Sequence, residues 1–408
     1  MNEQNKKVPT VRFKGFTNDW EQRKLSSIAH QTFGGGTPSK SNKQFWNGDF
    51  PWIQSSDLAE DTIRGVHPNK FITQNALLIS AAKKIPKNSI AIVSRVGVGK
   101  VALIPFNYST SQDFLSLSGL KINSQFATYS IHKIMKKTAS QLQGTSIKGI
   151  TKKDILNKTI IFPISEKEQV HISSLLKYVD YIISLQQRKL ALLKQLKKGF
   201  LQKMFADKDS KQPILRFKGF HDDWEQRKLS KVKDVRDGTH DSPKYHEKGF
   251  PLITSKNLTP SGVDFSDASL IDEHDYQEIN KRSLVEIHDI LFGMIGTIGN
   301  PVIVKKSGFA IKNVALIKHG GNLSNYFLLN LLNSPIFAKY INKENAGGTQ
   351  KFLSLSIIRN FRFLAPGSDE QNKIGNMFEQ VDTFITLQQQ KLAKYQSIKK
   401  SLLQQMFI

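Results

Sequence analysis

The stretch "EQVHISSLLKYVDYIISLQQRKLALLKQLKKGFLQKMF", Glu168 to Phe205, is answered 202 residues later by "EQNKIGNMFEQVDTFITLQQQKLAKYQSIKKSLLQQMF", Glu370 to Phe407. In both, apolar residues recur at alternating spacings of four and three, the period of one helix face. The first series, Ile172, Leu176, Val179, Ile183, Gln186, Leu190, Leu193, Lys197, Phe200, Met204, is apolar except at Gln186 and Lys197. The second, Ile374, Phe378, Val381, Ile385, Gln388, Leu392, Tyr395, Lys399, Leu402, Met406, is interrupted at the same two steps. Such a stripe is what a coiled-coil seam requires, and a polar Gln within it fixes register at some cost in stability. At 1.5 Å per residue each helix spans about 55 Å. The matched interruptions predict an antiparallel helix pair or a subunit interface built from Leu176, Val179, Ile183, Gln186, Leu190 and Leu193 with Phe378, Val381, Ile385, Gln388, Leu392 and Tyr395. The plainer alternative is two surface helices, each packed on its own domain.

Working outward, the segments before the helices are duplicated too. "VRFKGFTNDWEQRKLS" from Val11 and "LRFKGFHDDWEQRKLS" from Leu215 share thirteen of sixteen positions. "FPWIQSSDL" (Phe50 to Leu58) answers "FPLITSKNL" (Phe250 to Leu258), and "GTSIKGI" (Gly144 to Ile150) answers "GGTQKFL" (Gly347 to Leu353). A period near 200 residues is domain duplication rather than a solenoid. The predicted organisation is a globular domain over 1–165, a long helix over 166–207, a second domain over 208–367 and a second long helix over 368–408. Short β-rich runs such as "IAIV", "VALI", "PLIT" and "PVIV", separated by Gly, Asn and Pro, make the globular parts mixed α/β. A helix is predicted over "YSIHKIMKKTASQL" in the first half and over "NYFLLNLLNSPIFAKYI" in the second.

The chain has 408 residues, enough for two or three ordinary domains. Fifty-nine basic against 34 acidic residues leave +25, and the obvious partner of such a surface is a polyanion, nucleic acid above all. With no Cys there is neither a disulfide framework nor a thiolate metal site. The longest apolar run, "ILFGMIGTIGNPVIV", is broken by Gly and Pro and falls short of a membrane span. "MNEQNKKVPT" lacks the apolar core of a secretory signal, so a cytoplasmic location is expected.

Catalytic chemistry is hard to find. "GVGK" at Gly97 to Lys100 lacks both the earlier Gly and the following Ser or Thr of a phosphate loop, and reads as a turn between strands. "NPVI" at Asn300 to Ile303 lacks the aromatic residue that would stack on an extruded base, and reads as the start of a strand. The ten His residues show no metal-ligand spacing. The chain is expected to bind rather than react.

At "FGGGTPSKSNKQFWNGDFPWIQSSDL" (Phe33 to Leu58) and "RDGTHDSPKYHEKGFPLITSKNL" (Arg236 to Leu258), together with the duplicated "WEQRKL" openings and the paired long helices, the chain resembles the specificity subunit of a type I restriction-modification enzyme. The resemblance covers essentially the whole chain. It implies two target recognition domains in a pseudo-two-fold arrangement, each reading one half of a bipartite asymmetric DNA sequence, with the helices as spacers and docking sites. It also implies two modification subunits using S-adenosylmethionine to methylate a flipped adenine, and restriction subunits using ATP and Mg, with no cofactor or metal on this chain. A helix pair of about 55 Å exceeds one DNA turn of about 34 Å, as half-sites on neighbouring turns require. Turns rich in Thr, Ser and Lys suit phosphates, and Arg, Asn and Gln suit base edges. The candidate DNA contacts are therefore Thr37, Ser39, Lys40, Lys43, Arg95, Lys100 and Lys148 in the first half, and His240, Ser242, Lys244, Tyr245, Lys256, Asn257, Gln350 and Lys351 in the second. Gln350 faces Ile147 in the internal alignment, so no shared polar role follows there. Trp46 and Trp52 read as core residues, Trp20 and Trp224 as anchors of each domain. The rival readings are a stand-alone two-domain DNA-binding regulator or architectural protein, and the recognition part of a fused restriction enzyme.

Overall fold

The computed structural model describes residues 8–142, 149–207, 209–260, 262–344 and 352–408. The chain divides into two units, Met1–Leu185 with Leu392–Ile408, and Gln186–Lys391. Each long helix thus contributes residues to both units.

Unit 1 runs β1 (Glu21–Lys24), β2 (Ala29–Gly34), β3 (Phe50–Ile53), β4 (Lys70–Ile72), α1 (Gln74–Ile79), β5 (Ser89–Val93), β6 (Val101–Ile104), β7 (Ser109–Thr110), β8 (Phe114–Leu120), α2 (Ser124–Leu142), α3 (Lys152–Asn157), β9 (Thr159–Phe162) and the start of α4 (Glu166–Lys203). Its sheets are β2-β8-β5-β6, β4-β3-β7 and the pair β1-β9. Strand β5, "SIAIV", is buried along its whole length. Because successive side chains point to opposite faces, Ile90 and Ile92 pack with Phe126 and Tyr129 of α2 while Ala91 and Val93 pack with Tyr108 and Phe114.

Unit 2 repeats this plan with β10 (Glu225–Lys228), α5 (Leu229–Val232), β11 (Val235–Asp237), β12 (Phe250–Ile253), β13 (Leu258–Thr259), β14 (Gly262–Val263), β15 (Ser269–Ile271), α6 (Glu273–Ser283), β16 (Ile290–Gly293), β17 (Gly299–Ile303), β18 (Ala310–Ile311), β19 (Val314–Ile317), α7 (Asn325–Leu332), α8 (Pro335–Glu344), α9 (Leu355–Asn360), β20 (Arg362–Ala365) and α10 (Ser368–Gln405). Its sheets β11-β19-β16-β17, β15-β12-β18 and β10-β20 match those of unit 1 strand for strand, and β13-β14 is an added hairpin. Both units mix helix and sheet, as the sequence pattern indicates. One prediction fails: "NYFLLNLLNSPIFAKYI" is two helices, because Pro335 has no N–H to donate and the chain restarts there.

The duplicated opening fastens each domain to the long helix that follows it. Arg12 donates from Nε and Nη2 to the two carboxylate oxygens of Glu168 at 2.6 and 2.9 Å, and Arg216 does the same to Glu370 at 2.8 Å each. Gln169 and Gln371, next along each helix, accept from the backbone N–H of Asn123 and Ser324 and donate to the carbonyls of Pro163 and Pro366. Buried Trp20 donates to Glu168, whereas Nε1 of buried Trp224 has no partner among the described residues. The helix ends are core residues: Phe205 lies against Phe327 in unit 2, and Phe407 stacks on Phe126 in unit 1 at 5.0 Å.

Within unit 2, α4 and α10 run antiparallel. Gln388 donates to the side chain and backbone carbonyl of Gln186, and further along α4, Lys197 meets Asp382 at 2.6 Å, further back along α10. Within unit 1, Lys399 meets Asp180 at 2.6 Å. So the polar interruptions of the stripe are partners of one another or of the Asp beside it. Leu176, Val179, Ile183, Phe378, Val381 and Gln388 are buried, and Gln186, Leu190, Leu193, Ile385, Leu392 and Tyr395 half-buried.

Candidate nucleic-acid interface

In unit 1, four connecting segments converge at one end of the sheets: 35–43, 54–57, 94–100 and 111–113. Gly36 N–H donates to the Thr110 carbonyl, Ser111 N–H to Ile53, and Ser94 N–H to Asp113. Glycine is required at the first of these approaches, since a Cβ on Gly35 would lie 1.8 Å from the Ser111 carbonyl oxygen. Thr37 Oγ1 then clasps Gln112 Oε1 at 2.6 Å. Ser39, Lys40 and Lys43 stand exposed beyond that clasp, with the Ser39 carbonyl held by Trp46 Nε1. Trp52 is fully buried and Trp46 packs edge-on against it at 5.0 Å.

The hairpin between β5 and β6 carries Arg95, exposed and 3.8 Å from Asp113. Its neighbour Val96 has φ +47°, a conformation that costs a β-branched residue on the order of 1–3 kcal/mol. Lys100 is half-buried, and its ammonium donates to the Ser55 carbonyl at 3.2 Å and closes the base of the hairpin.

Unit 2 brings together the corresponding segments, 237–245, 254–257, 294–300 and 311–313. His240 occupies the place of Thr37, with Nδ1 2.8 Å from Asn313 Oδ1 and Nε2 3.0 Å from Asp237 Oδ2. Both ring nitrogens face oxygen acceptors, so Asn313 and Asp237 together hold the imidazolium form and raise the pKa above its ordinary value. Asp237 also pairs with Arg282 at the end of α6, and Ser242 accepts from Lys312. Lys244 and Tyr245 are exposed, and Lys256 pairs with Asp267 at 3.0 Å.

Asn257 stands apart from the exposed candidates. It is 3% exposed, its Oδ1 accepts from the backbone N–H and hydroxyl of Thr254, and its Nδ2 donates to the Asp264 carbonyl. Those bonds cap the short turn Ser255–Asn257, as Asp57 caps Ser55–Asp57 in unit 1. Lys148, Gln350 and Lys351 lie outside the described residues. The sequence reading missed Gln112, Asn313, Asp237, Arg282 and Lys312. Aligning "TSQD" with "IKNV" at the internal repeat would have placed Gln112 opposite Asn313.

Glu286, Asp289 and His319 are close enough to share an ion, but Lys318 sits 2.6 Å from both carboxylates and supplies the positive charge itself. No described helix is long and apolar enough to cross a membrane.

The model of the type I restriction modification DNA specificity domain matches residues 17–195 and again 221–396. The chain belongs to the type I restriction-modification specificity family. It is 25% identical over 408 residues to the type I restriction enzyme MjaIX specificity subunit of Methanocaldococcus jannaschii, covering 94% of this chain and 92% of that one. It is 33% identical over 149 residues, 34% of this chain and 36% of the other, to the EcoR124I/EcoR124II specificity subunit of Escherichia coli. The crystal structure of the S subunit of a type I system from M. genitalium shares the fold with a TM-score of 0.63 at 17% identity, covering 98% of this chain and 99% of that one. This specificity subunit is thus a non-catalytic component that recognises a DNA target, and the stand-alone regulator is not favoured.

Proposed function

We propose that each unit of this specificity subunit reads one half of a bipartite, asymmetric DNA target through its four converging segments, and that the long helices dock two modification subunits. The observation that carries this reading is one backbone frame furnished twice with different side chains: Thr37 on Gln112 in unit 1, His240 on Asn313 and Asp237 in unit 2. A common frame fixes where the loops stand, and differing side chains give each unit its own pattern of donors and acceptors. Thr37, Ser39, Lys40, Lys43, Arg95, His240, Ser242, Lys244 and Tyr245 remain the proposed contacts among the described residues. Leu185, Leu192 and Leu196 on α4, and Phe384, Leu387 and Ile398 on α10, are among the exposed apolar side chains of the two helices, and suit a docked partner. Transfer of a methyl group from S-adenosylmethionine to a flipped adenine would fall to the modification subunits, and ATP- and Mg-dependent cleavage to restriction subunits.

The test is the salt dependence of target binding by the complex assembled with its modification subunits. Replacing Lys40, Lys43 and Lys244 with Ala lowers affinity and reduces the slope of log K against log salt by about 0.9 per lost phosphate contact. An unchanged slope would place the interface elsewhere.

A further inference from the structure

Val96 is costly where it stands. It is 70% exposed and holds φ +47°, so it contributes little to any core while occupying a conformation its branched Cβ opposes. The equivalent position in unit 2, at the tip of the β16–β17 hairpin, is Gly296 with φ +73°, the residue the turn itself favours. The arm before the tip is held: Ser94 N–H and Oγ both reach the Asp113 carbonyl, Ile150 N–H donates to the Ser94 carbonyl, and Arg95 bridges to Gly149. The isopropyl group therefore stands exposed at the hairpin tip beside an exposed guanidinium, among the segments that form the proposed DNA face.

We infer that Val96 is a specificity-determining residue of unit 1, an apolar probe whose methyl groups pack on the C5-methyl of a thymine in the major groove. Only thymine offers a methyl group there, so an apolar side chain discriminates it by contact alone. Arg95 supplies a neighbouring charge for phosphate or guanine. Unit 2, with glycine at its tip, lacks this readout. The inference rests on the reading of unit 1 as a half-site reader, and its test separates the two.

In the complex assembled with its modification subunits, Val96→Gly removes the probe and relieves the backbone. The expected results are a melting temperature equal to or above the parent's, unchanged assembly, and one thymine of the first half-site becoming degenerate in the methylated motif of host DNA. Replacing that thymine by deoxyuridine in a duplex weakens parent binding about fourfold, the worth of one buried methyl, and leaves the Val96→Gly complex unaffected. An unaltered motif in Val96→Gly overturns the inference while leaving half-site recognition standing. Loss of assembly assigns the side chain to a protein partner and overturns it too, as does a melting temperature several degrees lower. Absence of any bipartite motif with the parent chain removes the underlying reading as well.

Discussion

His240 shows how much one residue can depend on chemistry far from it in sequence. Its two acceptors are Asn313 and Asp237, and the doubly protonated ring satisfies both. A folded pKa raised above the unfolded value means that the clasp stabilises fully below about pH 6.5 and is lost as pH rises through the folded pKa. NMR titration should place His240 above 6.5, and Asp237→Asn should bring it back down; a titration unmoved by Asp237→Asn would discount the clasp. Thr37 and Gln112 do not titrate, so unit 1 carries no equivalent dependence. Asn257 makes the opposite lesson: a polar residue just past a strand looks like a base reader, yet it is a buried cap. Asn257→Ala should cost about 1–2 kcal/mol by unfolding while leaving DNA affinity of the folded complex unchanged.

At the scale of elements, the long helices were legible and the loop clasps were not. Period and matched interruptions mark α4 and α10 because a helix face is a local pattern, written within one stretch of chain. Thr37 with Gln112, and His240 with Asn313, pair residues 75 and 73 positions apart, and no local pattern announces such a partner. The break at Pro335 is written in the sequence, but the apolar residues on both sides of it read as one run. The interruptions of the stripe also predict unequal stability. Lys399 and Asp180 are 9% and 7% exposed, and Tyr129 donates to the same Asp at 2.6 Å, whereas Lys197 and Asp382 are 24% and 42% exposed. Lys399→Met strands a buried carboxylate and should cost about 3–5 kcal/mol. Lys197→Met should cost less than about 1 kcal/mol. Hydrogen-exchange protection in each unit measures both, and equal losses would contradict this account. Leu190→Glu or Leu392→Glu places a charge in the half-buried seam and should destabilise by ~2 kcal/mol or more, with loss of complex assembly by size exclusion.

For the whole molecule, duplication explains the architecture, and divergence explains the function. The "RFKGF…DWEQRKLS" openings are near-identical because Arg12 and Arg216 do the same mechanical work at Glu168 and Glu370, while Trp20 and Trp224 are each buried in the core of their own unit. Among the segments that differ are those exposed at the converging ends, where one frame presents different chemistry. On the proposed reading, the excess of 59 basic over 34 acidic residues would supply affinity for any DNA, and the side chains of the two ends would supply the choice among sequences. The most direct measurement is methylome sequencing of a host carrying this chain with its modification subunits, beside one in which His240, Ser242, Lys244 and Tyr245 are replaced by Ala. A bipartite, asymmetric motif whose first half and gap are unchanged in the variant, and whose second half alone is relaxed or lost, is the predicted result. A motif without two halves, or one whose two halves change together, would contradict it.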